Sequence, residues 1–351
     1  MRADIITSTE HSITSEAVKA SATNIIPAGN VVIATRVGLG KVCLLAQDTA
    51  VNQDLRGIVP KSNKEIDIAF LFAWFKSISE QIIAEGTGAT VQGVKLPFIK
   101  GLSVPLPTME EQRRIVTLLD EAFADIATAK ANAEKNLQNA RDFFYGQLQA
   151  IFESGSNSWS SSTLGQTFDV RDGTHDSPKY HAEGYPLITS KNLKREGLSF
   201  DDVKLIAELD YAKINERSAV HQGDVLLAMI GTIGNPTVVE IEPNFAIKNV
   251  ALLKVPKTQN SYFLQYYLST PSVITKMQSE AKGTTQKFVG LGYLRAFPIS
   301  MPTLAEQQKI VEKLDELRTE SDRLESIYRQ KLTALDALKK SLLHQAFSGF
   351  L

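Results

Sequence analysis

Several short stretches carry residue types that act in enzymes, but each lacks part of the pattern that its chemistry needs. Gly38-Leu39-Gly40-Lys41-Val42 is similar to a phosphate-binding loop, yet the upstream glycine and the following Ser or Thr are missing. Glu280-Ala281-Lys282 has the terminal half of a nuclease pattern, without the preceding Pro-Asp. Asn235-Pro236-Thr237 differs from an Asn-Pro-Pro-Tyr tetrapeptide and fits a turn. The sequence therefore predicts no catalytic centre in this chain.

Ligands for a structural or catalytic metal are equally poorly represented. His175 and His181 are near neighbours in the sequence, but no pair of ligands has zinc-site spacing. We therefore expect no metal. Cys43 is the single cysteine and cannot form an internal disulfide, which favours a reducing, cytoplasmic location.

Composition describes an ordinary folded protein with room for two or more domains in 351 residues. The longest strongly apolar run, Ile66 to Phe75, is about half of what a membrane-spanning helix requires, and the N-terminus does not have the pattern of a secretory signal. The 38 basic and 39 acidic residues give a net charge of −1. A surface that binds nucleic acid would therefore have to be locally basic.

An internal repeat organises the chain. The segment Pro107–Asp120 recurs as Pro302–Asp315, 195 residues later (302 minus 107), and both copies fit Pro-Thr-x-x-Glu-Gln-x-x-Ile-Val-x-x-Leu-Asp. Upstream, Gly88-Ala89-Thr90 aligns at the same offset with Gly283-Thr284-Thr285. Because the similarity extends well beyond the motif, the chain is a tandem duplication of a unit of this length.

Each copy of the motif begins a long helix. Thr108 and Thr303 can accept hydrogen bonds from first-turn amides, and Glu111 and Glu306 can bond back, which predicts a capping box in both copies. The first helix has apolar residues at helical spacing: Ile115, Leu119, Ala122, Ile126, Ala129, Ala133, Leu137, Ala140, Phe144, Leu148 and Ile151. The second has them at alternating steps of four and three, with Ser321 and Lys331 at the two remaining positions of the register: Ile310, Leu314, Leu317, Leu324, Tyr328, Leu335, Leu338 and Leu342.

A heptad seam of this kind requires a partner helix. We expect the two helices to pack on each other as an antiparallel coiled coil that separates two globular lobes, with Ile115, Leu119, Ile126, Ile310, Leu314, Leu317, Leu324, Leu335, Leu338 and Leu342 in the seam and at partner-docking positions. The alternative is that each helix folds back separately on its own lobe.

The lobes are predicted to be mainly β. Short apolar runs bounded by Gly, Pro, Asn and Asp, such as Asp224–Ile230 and Val250–Val255, indicate strands, and Ser261–Gln278 indicates helix broken at Pro271. The predicted fold class is α+β, a pseudo-two-fold tandem duplication. Its predicted domains are a first lobe at 1–107, a first helix at 108–154, a second lobe at 155–302 and a second helix at 303–351.

The duplicated motif, the long helix after each copy and the ending Lys339–Leu351 resemble type I restriction-modification specificity subunits, the HsdS family. Arg171–Pro178 followed by Gly184–Asn192 is also similar to the start of many target-recognition domains in that family. The resemblance covers nearly the whole chain, and its motif is specific because it is long and present twice.

The resemblance implies a non-catalytic protein that recognises a bipartite site in double-stranded DNA. Two target-recognition domains would each bind one half-site, with the helices as spacer and docking surface. A pair of modification (methyltransferase) subunits and the restriction subunits would be its partners. S-adenosylmethionine, ATP and Mg are expected on those partners, so no cofactor is expected on this chain.

Within that resemblance, polar and basic residues of glycine-rich loops are the candidates for DNA contact, because base edges need donors and acceptors and phosphates need positive charge. The candidates near the start of the second lobe are Arg171, Thr174, His175, Lys179, Tyr180, Ser190, Lys191, Asn192 and Lys194. A second cluster consists of Thr284, Thr285, Gln286 and Lys287. Its counterpart in the first lobe consists of Thr87, Thr90, Gln92 and Lys95. The alternative for each is a surface loop residue without DNA contact.

The chain departs from the family pattern at its start. Residue 1 corresponds to about residue 196 of the second unit, so the first unit has no stretch equivalent to Trp159–Arg195 and its recognition domain is expected to be N-terminally incomplete.

Two other functions are alternatives to DNA recognition. One is a two-lobed coiled-coil scaffold that binds proteins, which would lack basic grooves; the other is a single-chain restriction enzyme with a degenerate centre, which no sequence feature favours.

Overall fold

A computed structural model of the chain describes residues 3–21, 23–88, 91–155 and 158–349. The chain folds as two compact units, one formed by residues 1–136 and 327–351 and the other by residues 137–326. Two long helices, α5 (Met109–Gly155) and α11 (Leu304–Phe347), each contribute residues to both units. The predicted α+β class, with two sheet-containing units joined by long helices, is confirmed.

The first unit contains short strands and four short helices before α5, within its described residues. The strands are β1 (Ile5–Ile6), β2 (Asn24–Ile26), β3 (Val31–Ala34), β4 (Val42–Leu45), β5 (Thr49–Val51) and β6 (Leu55–Ile58). The helices are α1 (Ser15–Lys19), α2 (Ile68–Ser77), α3 (Ser79–Ala84) and α4 (Leu96–Gly101). One sheet has the order β1-β4-β3-β6, and β2 pairs with β5. The apolar run from Ile66 to Phe75 forms α2, whose Leu71, Trp74 and Phe75 cover β3.

The second unit has a larger set of strands. These are β7 (Ser160–Thr163), β8 (Asp169–Asp172), β9 (Tyr180–His181), β10 (Tyr185–Ile188), β11 (Leu193–Lys194), β12 (Gly197–Leu198), β13 (Lys204–Ile206), β14 (Val225–Ala228), β15 (Gly234–Val238), β16 (Ala246–Ile247), β17 (Val250–Lys254) and β18 (Pro298–Met301). Its helices before α11 are α6 (Leu164–Thr167), α7 (Glu208–Ser218), α8 (Ser261–Ser269), α9 (Pro271–Ser279) and α10 (Leu291–Ala296), with a 3₁₀ turn at Ser190–Asn192. The helical segment breaks at Pro271, as predicted.

The second unit contains two four-stranded sheets, with orders β15-β14-β17-β8 and β16-β10-β13-β9, and the two-stranded pairs β11-β12 and β18-β7. The first matches the β4-β3-β6 part of the first unit, because β3 and β14 each pair with a hairpin partner on one side and with β6 or β17 on the other. The largest core cluster packs under this sheet and includes Leu227, Leu253 and Leu264. The duplication detected in the sequence is therefore a duplication of the fold.

A buried glutamine ties each long helix to its lobe. In the first unit, Gln112 accepts a hydrogen bond from the backbone N–H of Asp67 at 2.8 Å and donates to the carbonyls of Glu65 and Pro107. Asp67 is also the N-cap of α2. In the second unit, Gln307 accepts a hydrogen bond at 2.9 Å from the backbone N–H of Asn260, the N-cap of α8. Both glutamines are 0% exposed.

The predicted capping boxes are half formed. Thr108 and Thr303 each accept a hydrogen bond from the backbone N–H three residues later, at 3.3 Å in both copies. The glutamates do not complete the box in the structure, because Glu111 is bound by Arg114 and Glu306 accepts from the indole N–H of Trp159. The bonds from Arg114 to Glu111 are charge-assisted and therefore stronger than a bond from a backbone amide.

The two long helices pack antiparallel in each unit. In the first unit, Ile115 and Leu119 of α5 pack with Leu343 and Ala346 of α11, near the opposite ends of the two helices. In the second unit, Phe144 and Leu148 pack with Val311 and Leu314. In each unit the two long helices contact each other, so the alternative in which each helix folds back separately on its own lobe is wrong.

The contact surface of α11 differs in part from the predicted seam. Leu314, Leu343 and Ala346 are buried, but Leu338 is 46% exposed, which corrects its assignment to the seam. Ile310, Leu317, Leu324, Leu335 and Leu342 are half-buried. Charged residues take the neighbouring positions: Arg318 and Lys339 lie over the rings of Phe144 and Phe123 on α5, and Glu325 is buried. A search for apolar residues passes over basic side chains whose cationic groups lie over aromatic rings.

Glu325 is the charged centre of the helix pair in the second unit. Its carboxylate lies 3.0 Å from Nε of Arg141 on α5 and 2.9 Å from a guanidinium nitrogen of Arg195, in the turn between β11 and β12. Burial disfavours the charged carboxylate, but the hydrogen bonds from Arg195 and Arg141 outweigh it and lower the pKa of Glu325. The triad therefore joins the lobe to both long helices.

Candidate nucleic-acid interface

The candidate interface of the second unit lies at one end of the β15-β14-β17-β8 sheet, where β8 and β14 finish and β17 begins. This end of the strands is called the loop edge, or simply the edge, below. Strands β8 and β14 both run antiparallel to β17, so their carboxyl ends are at the same edge. The loop 173–177 follows β8, the turn 229–233 follows β14, and Lys248 and Asn249 precede β17 at this edge. Because loops converge there from distant parts of the sequence, side chains predicted separately come together.

His175 is held at this edge by two side chains. One ring nitrogen lies 2.8 Å from Oδ1 of Asn249 and the other lies 2.9 Å from Oδ2 of Asp172. The second carboxylate oxygen of Asp172 accepts a hydrogen bond from Arg217 of α7 at 2.7 Å. The imidazole is nevertheless largely exposed, with 55% of its side-chain surface accessible. A fixed, exposed ring of this kind can present one orientation to a ligand.

The neighbouring surface is a cleft that carries both basic and acidic side chains. Thr174 forms a backbone bridge with Lys248, whose ammonium group donates to the hydroxyl of Ser177 at 2.6 Å. The cleft is lined by residues 174–178 and by residues of α7, with Lys213 and Arg217 as basic side chains and Asp176 and Asp210 as acidic ones. Lys213, Arg217 and Lys248 were not among the sequence candidates, because they lie in α7 and just before β17, far in sequence from the Arg171–Pro178 segment. The basic side chains Lys213, Arg217 and Lys248 are of the type that contacts phosphates.

The loop that carries Thr284, Thr285, Gln286 and Lys287 lies beside the β14–β15 turn at the same edge. Lys282 and Phe288 pair across its base, with hydrogen bonds of 2.8 and 2.9 Å between their backbones. The backbone N–H of Gly231 donates to the carbonyl of Lys287 at 2.8 Å. A Cβ added at Gly231 would lie 3.1 Å from the amide nitrogen of Gln286. All four predicted side chains are exposed.

The first unit repeats this pair of loops. Thr87 and Gly93 pair across the base of the loop, with two hydrogen bonds of 3.0 Å, and Val94 donates to the carbonyl of Thr35 in the β3–β4 turn. The glycines that open the two loops, Gly88 and Gly283, both have positive φ, at 135° and 99°. Gln92 and Lys95 are exposed, whereas Thr90 lies outside the described residues.

Arg36 is a further basic side chain at the edge of the first unit. It is in the β3–β4 turn, is 52% exposed and forms an ion pair of 3.6 Å with Asp54. A Cβ added at Gly93 would lie 2.8 Å from Cγ of Arg36, so the two loops are in contact. The repeat offset could have identified this turn, because it aligns with the β14–β15 turn of the second unit.

Other predicted residues lie elsewhere or are already engaged. Arg171 donates to Oδ2 of Asp169 at 2.6 and 2.9 Å and lowers the pKa of that carboxyl. Asn192 is 5% exposed, and its amide binds Thr189 and the carbonyl of Ser199, which gives it a role inside the turn rather than at the surface. An exposed surface was assumed for it because polarity alone does not reveal burial.

The other five candidates of this group do not line the first cleft. Lys179 is exposed just before β9, and Tyr180 is 47% exposed on β9, an edge strand of the other sheet. Lys191 is exposed in the 3₁₀ turn, beside the half-buried Ser190. Lys194 lies next to the β14–β15 turn, in a second cleft that Arg195, Thr232 and Arg318 also line.

In the described part of the chain, no helix has the length and apolar character to cross a membrane. The fold and the paired loops define a duplicated protein with similar exposed loops in both units. The model of a family described as "Type I restriction modification DNA specificity domain" matches residues 2–137 and 157–334. The chain belongs to this family, which confirms the resemblance found in the sequence.

Relatives and solved structures agree with this assignment. The specificity subunit of the type I restriction enzyme EcoBI of Escherichia coli is 23% identical over 297 residues, covering 76% of this chain and 62% of the relative. The chain thus spans about three fifths of the length of the EcoBI subunit and of the related EcoKI subunit of Escherichia coli strain K12.

Solved structures share the fold at low sequence identity. A chain from work described as the structural basis of complex assembly and conformational transition of the type I R-M system has a TM-score of 0.77 and 20% identity, covering 93% of this chain and 84% of that chain. The HsdS subunit of Thermoanaerobacter tengcongensis has a TM-score of 0.60 and 20% identity, covering 93% and 82%. At this identity the likeness concerns the fold.

Proposed function

We propose that this chain is the DNA-recognition subunit of a type I restriction-modification complex and that each unit binds one half of a bipartite target. The observation that carries the proposal is the repeated pair of exposed polar loops at the same sheet edge of both units, within a chain that matches the specificity family twice. Loop residues such as Gln92 and Gln286 can hydrogen-bond base edges, and Arg36, Lys248 and Lys287 can contact phosphates. Residues 1–107 and 155–302 are assigned to recognition, and 108–154 and 303–351 to the spacer.

Catalysis in this proposal belongs to the partners. The long helices dock a pair of modification subunits, which carry S-adenosylmethionine and flip the target base, and restriction subunits with ATP and Mg join the complex. The EcoBI and EcoKI relatives are named as specificity subunits of type I restriction enzymes, which supports this division of labour. The chain itself contributes recognition and assembly.

The test is DNA binding by the chain assembled with modification subunits, measured by fluorescence anisotropy at several salt concentrations. Lys287→Gln is expected to weaken binding severalfold and to lower the slope of log affinity against log salt by about one. The matched control is Lys257→Gln, because Lys257 is exposed beyond the end of β17 at the opposite edge of the sheet. Equal effects of the two substitutions, or none, would contradict the proposed interface. If the assembly forms and neither substitution changes its affinity for DNA, the result would favour a protein-binding scaffold.

A further inference from the structure

An ion pair joins the two long helices in each unit. In the first unit, Nζ of Lys130 on α5 lies 2.7 Å from Oδ1 of Asp336 on α11. In the second unit, Nε of Arg141 on α5 lies 3.0 Å from Oε2 of Glu325 on α11. In both units, therefore, α5 supplies the base and α11 supplies the acid.

The repeat shows that these two ion pairs are equivalent, with their charges exchanged. Lys130 aligns with Glu325, because 325 minus 130 is 195, and Arg141 aligns with Asp336, because 336 minus 141 is also 195. In two identical copies of the unit, aligned positions would carry the same charge. Here α5 is basic at both positions where α11 is acidic.

The contacts between cations and aromatic rings follow the same division. The guanidinium of Arg318 lies 5.5 Å from the ring centroid of Phe144, and the ammonium of Lys339 lies 4.8 Å from that of Phe123. Phe123 aligns with Arg318 and Phe144 with Lys339, again at an offset of 195 (318 minus 123 and 339 minus 144). Both rings are on α5 and both cations are on α11.

Apolar residues between the helices do not distinguish α5 from α11 in this way. Three aligned pairs are identical in the two helices: Ile115 and Ile310, Leu119 and Leu314, and Leu148 and Leu343. All of them are in the apolar clusters that join α5 to α11. A second copy of α5 would therefore offer the same apolar side chains as α11 at these positions. Because apolar burial is non-directional, the choice of partner needs another source.

Packing of like helices would bring like charges together. If α5 packed on α5 of a second copy, Lys130 would face Arg141, where each base now faces an acid. If α11 packed on a second α11, Asp336 would face Glu325, whose side chain is 2% exposed, and the two cations of α11 would also oppose each other. Charges across a helix pair set the choice of partner, and a buried charge that loses its counter-ion is costly.

We propose that these exchanged charges make α5 and α11 select each other and reject a second copy of the same helix, so that the duplicated chain does not self-associate through its repeats. Specific interfaces use repulsion in the unwanted complex as well as attraction in the wanted one. The selection matters during synthesis, because α5 is complete before α11 and the N-terminal part of a chain folds first. The inference goes beyond DNA recognition and does not depend on it.

The experiment exchanges the charges of one ion pair and measures self-association of the full chain. Lys130→Glu/Asp336→Lys keeps an acid opposite a base within the chain, but like helices now also oppose an acid to a base. Two differently tagged samples are unfolded, mixed, refolded together at high protein concentration and captured through one tag. The exchanged variant is expected to retain about ten times as much of the other tag as the parent does, because the like-charge contacts are relieved.

The matched control is Lys135→Glu/Glu316→Lys, which exchanges a base and an acid at exposed positions of the same two helices. It is expected to behave as the parent does. The excess captured with the exchanged variant is expected to shrink in about 1 M salt, where the Debye length is about 3 Å. If the parent and the folded exchanged variant are captured equally, or if the control matches the exchanged variant, the charges do not select the partner helix and the inference fails.

A neutral variant keeps the test decisive if the exchanged variant does not fold, which circular dichroism shows. Lys130→Gln/Asp336→Asn removes the two charges without reversing them, so like helices no longer place charges of the same sign opposite each other at these positions. It is expected to give an amount of the captured second tag between those of the parent and the exchanged variant. Equal capture of the neutral variant and the parent would overturn the proposal.

Discussion

Gln112 and Gln307 occupy the same position in the two copies of the Pro-Thr motif. Each amide oxygen accepts from the backbone N–H of an N-cap residue, and each amide nitrogen donates to the proline carbonyl before the long helix. Because both side chains are fully buried, water cannot replace these partners. The glutamine fixes the start of the long helix against the start of an apolar lobe helix in both units.

Replacing Gln307 by leucine is expected to lower the free energy of unfolding by about 2 kcal/mol, because it leaves the N–H of Asn260 and the carbonyl of Pro302 buried without a partner. Chemical denaturation measures the change. The matched control is Gln308→Leu, since Gln308 is exposed on the same helix. Equal stability of the two variants would show that the buried hydrogen bonds are unimportant.

Glu325 predicts a pH dependence of stability. Its pKa is lowered in the folded protein, so its contribution to stability is fully present above the ordinary pKa of a glutamate and is lost as the pH falls through that value and below it. Glu325→Gln is expected to reduce the stability at pH 7 and to flatten its decline as the pH falls below 4.5, the ordinary pKa of a glutamate. Denaturation at several pH values measures both effects. A parallel decline in parent and variant would exclude Glu325 as a source of the acid sensitivity.

At the scale of helices, the seam between α5 and α11 combines apolar and charged positions. Ala133 and Ala140 are buried on α5, and the hydroxyl of Ser321 on α11 donates to the carbonyl of Ala140 at 2.9 Å. Small residues allow this close approach. The basic residues at the seam place their cationic groups over aromatic rings, as Arg318 does over Phe144.

The revised seam makes neighbouring leucines unequal. Leu343 is 8% exposed and packs with Ile115 and Leu119, whereas Leu338 is 46% exposed. Leu343→Ala is therefore expected to cost about 2 to 3 kcal/mol in the free energy of unfolding, and Leu338→Ala less than about 0.5 kcal/mol. Thermal and chemical denaturation of the two variants provide the comparison. The opposite order would restore the seam predicted from apolar spacing alone.

The elements that the sequence predicts well are those with long, periodic patterns. Both long helices, the break at Pro271 and the strands around Val225 and Val250 follow from apolar spacing, proline and the repeat. The position of Glu325 in the seam could not be predicted, because its neutralising partner Arg195 is 130 residues away in the sequence. Asn192 was misplaced for a related reason, since only tertiary structure shows that its amide serves a turn.

At the scale of the whole molecule, the repeat predicts more than the individual residues do. Offsets near 195 identify β3 with β14, β6 with β17 and the loop after Gly88 with the loop after Gly283. The candidate site could be predicted only in part. The loop residues around Gln286 were accessible to sequence reasoning, but Arg217 and Lys248 reach the edge through tertiary folding.

The duplication predicts that the two units act on separate halves of one DNA target. Gln286→Ala is expected to relax recognition in one half-site and Gln92→Ala in the other, each by about 1 to 3 kcal/mol at the affected base pair, because a hydrogen-bonding amide is lost at equivalent loops. Mapping of methylated sites in cells that contain the chain with modification subunits measures this. Gln81→Ala, on the exposed surface of α3, is the matched control. If both loop variants relaxed recognition of the same half-site, or if neither changed the methylated sequence, the two loops would not each read one half-site. The two-fold arrangement would then serve assembly of the complex and not DNA recognition.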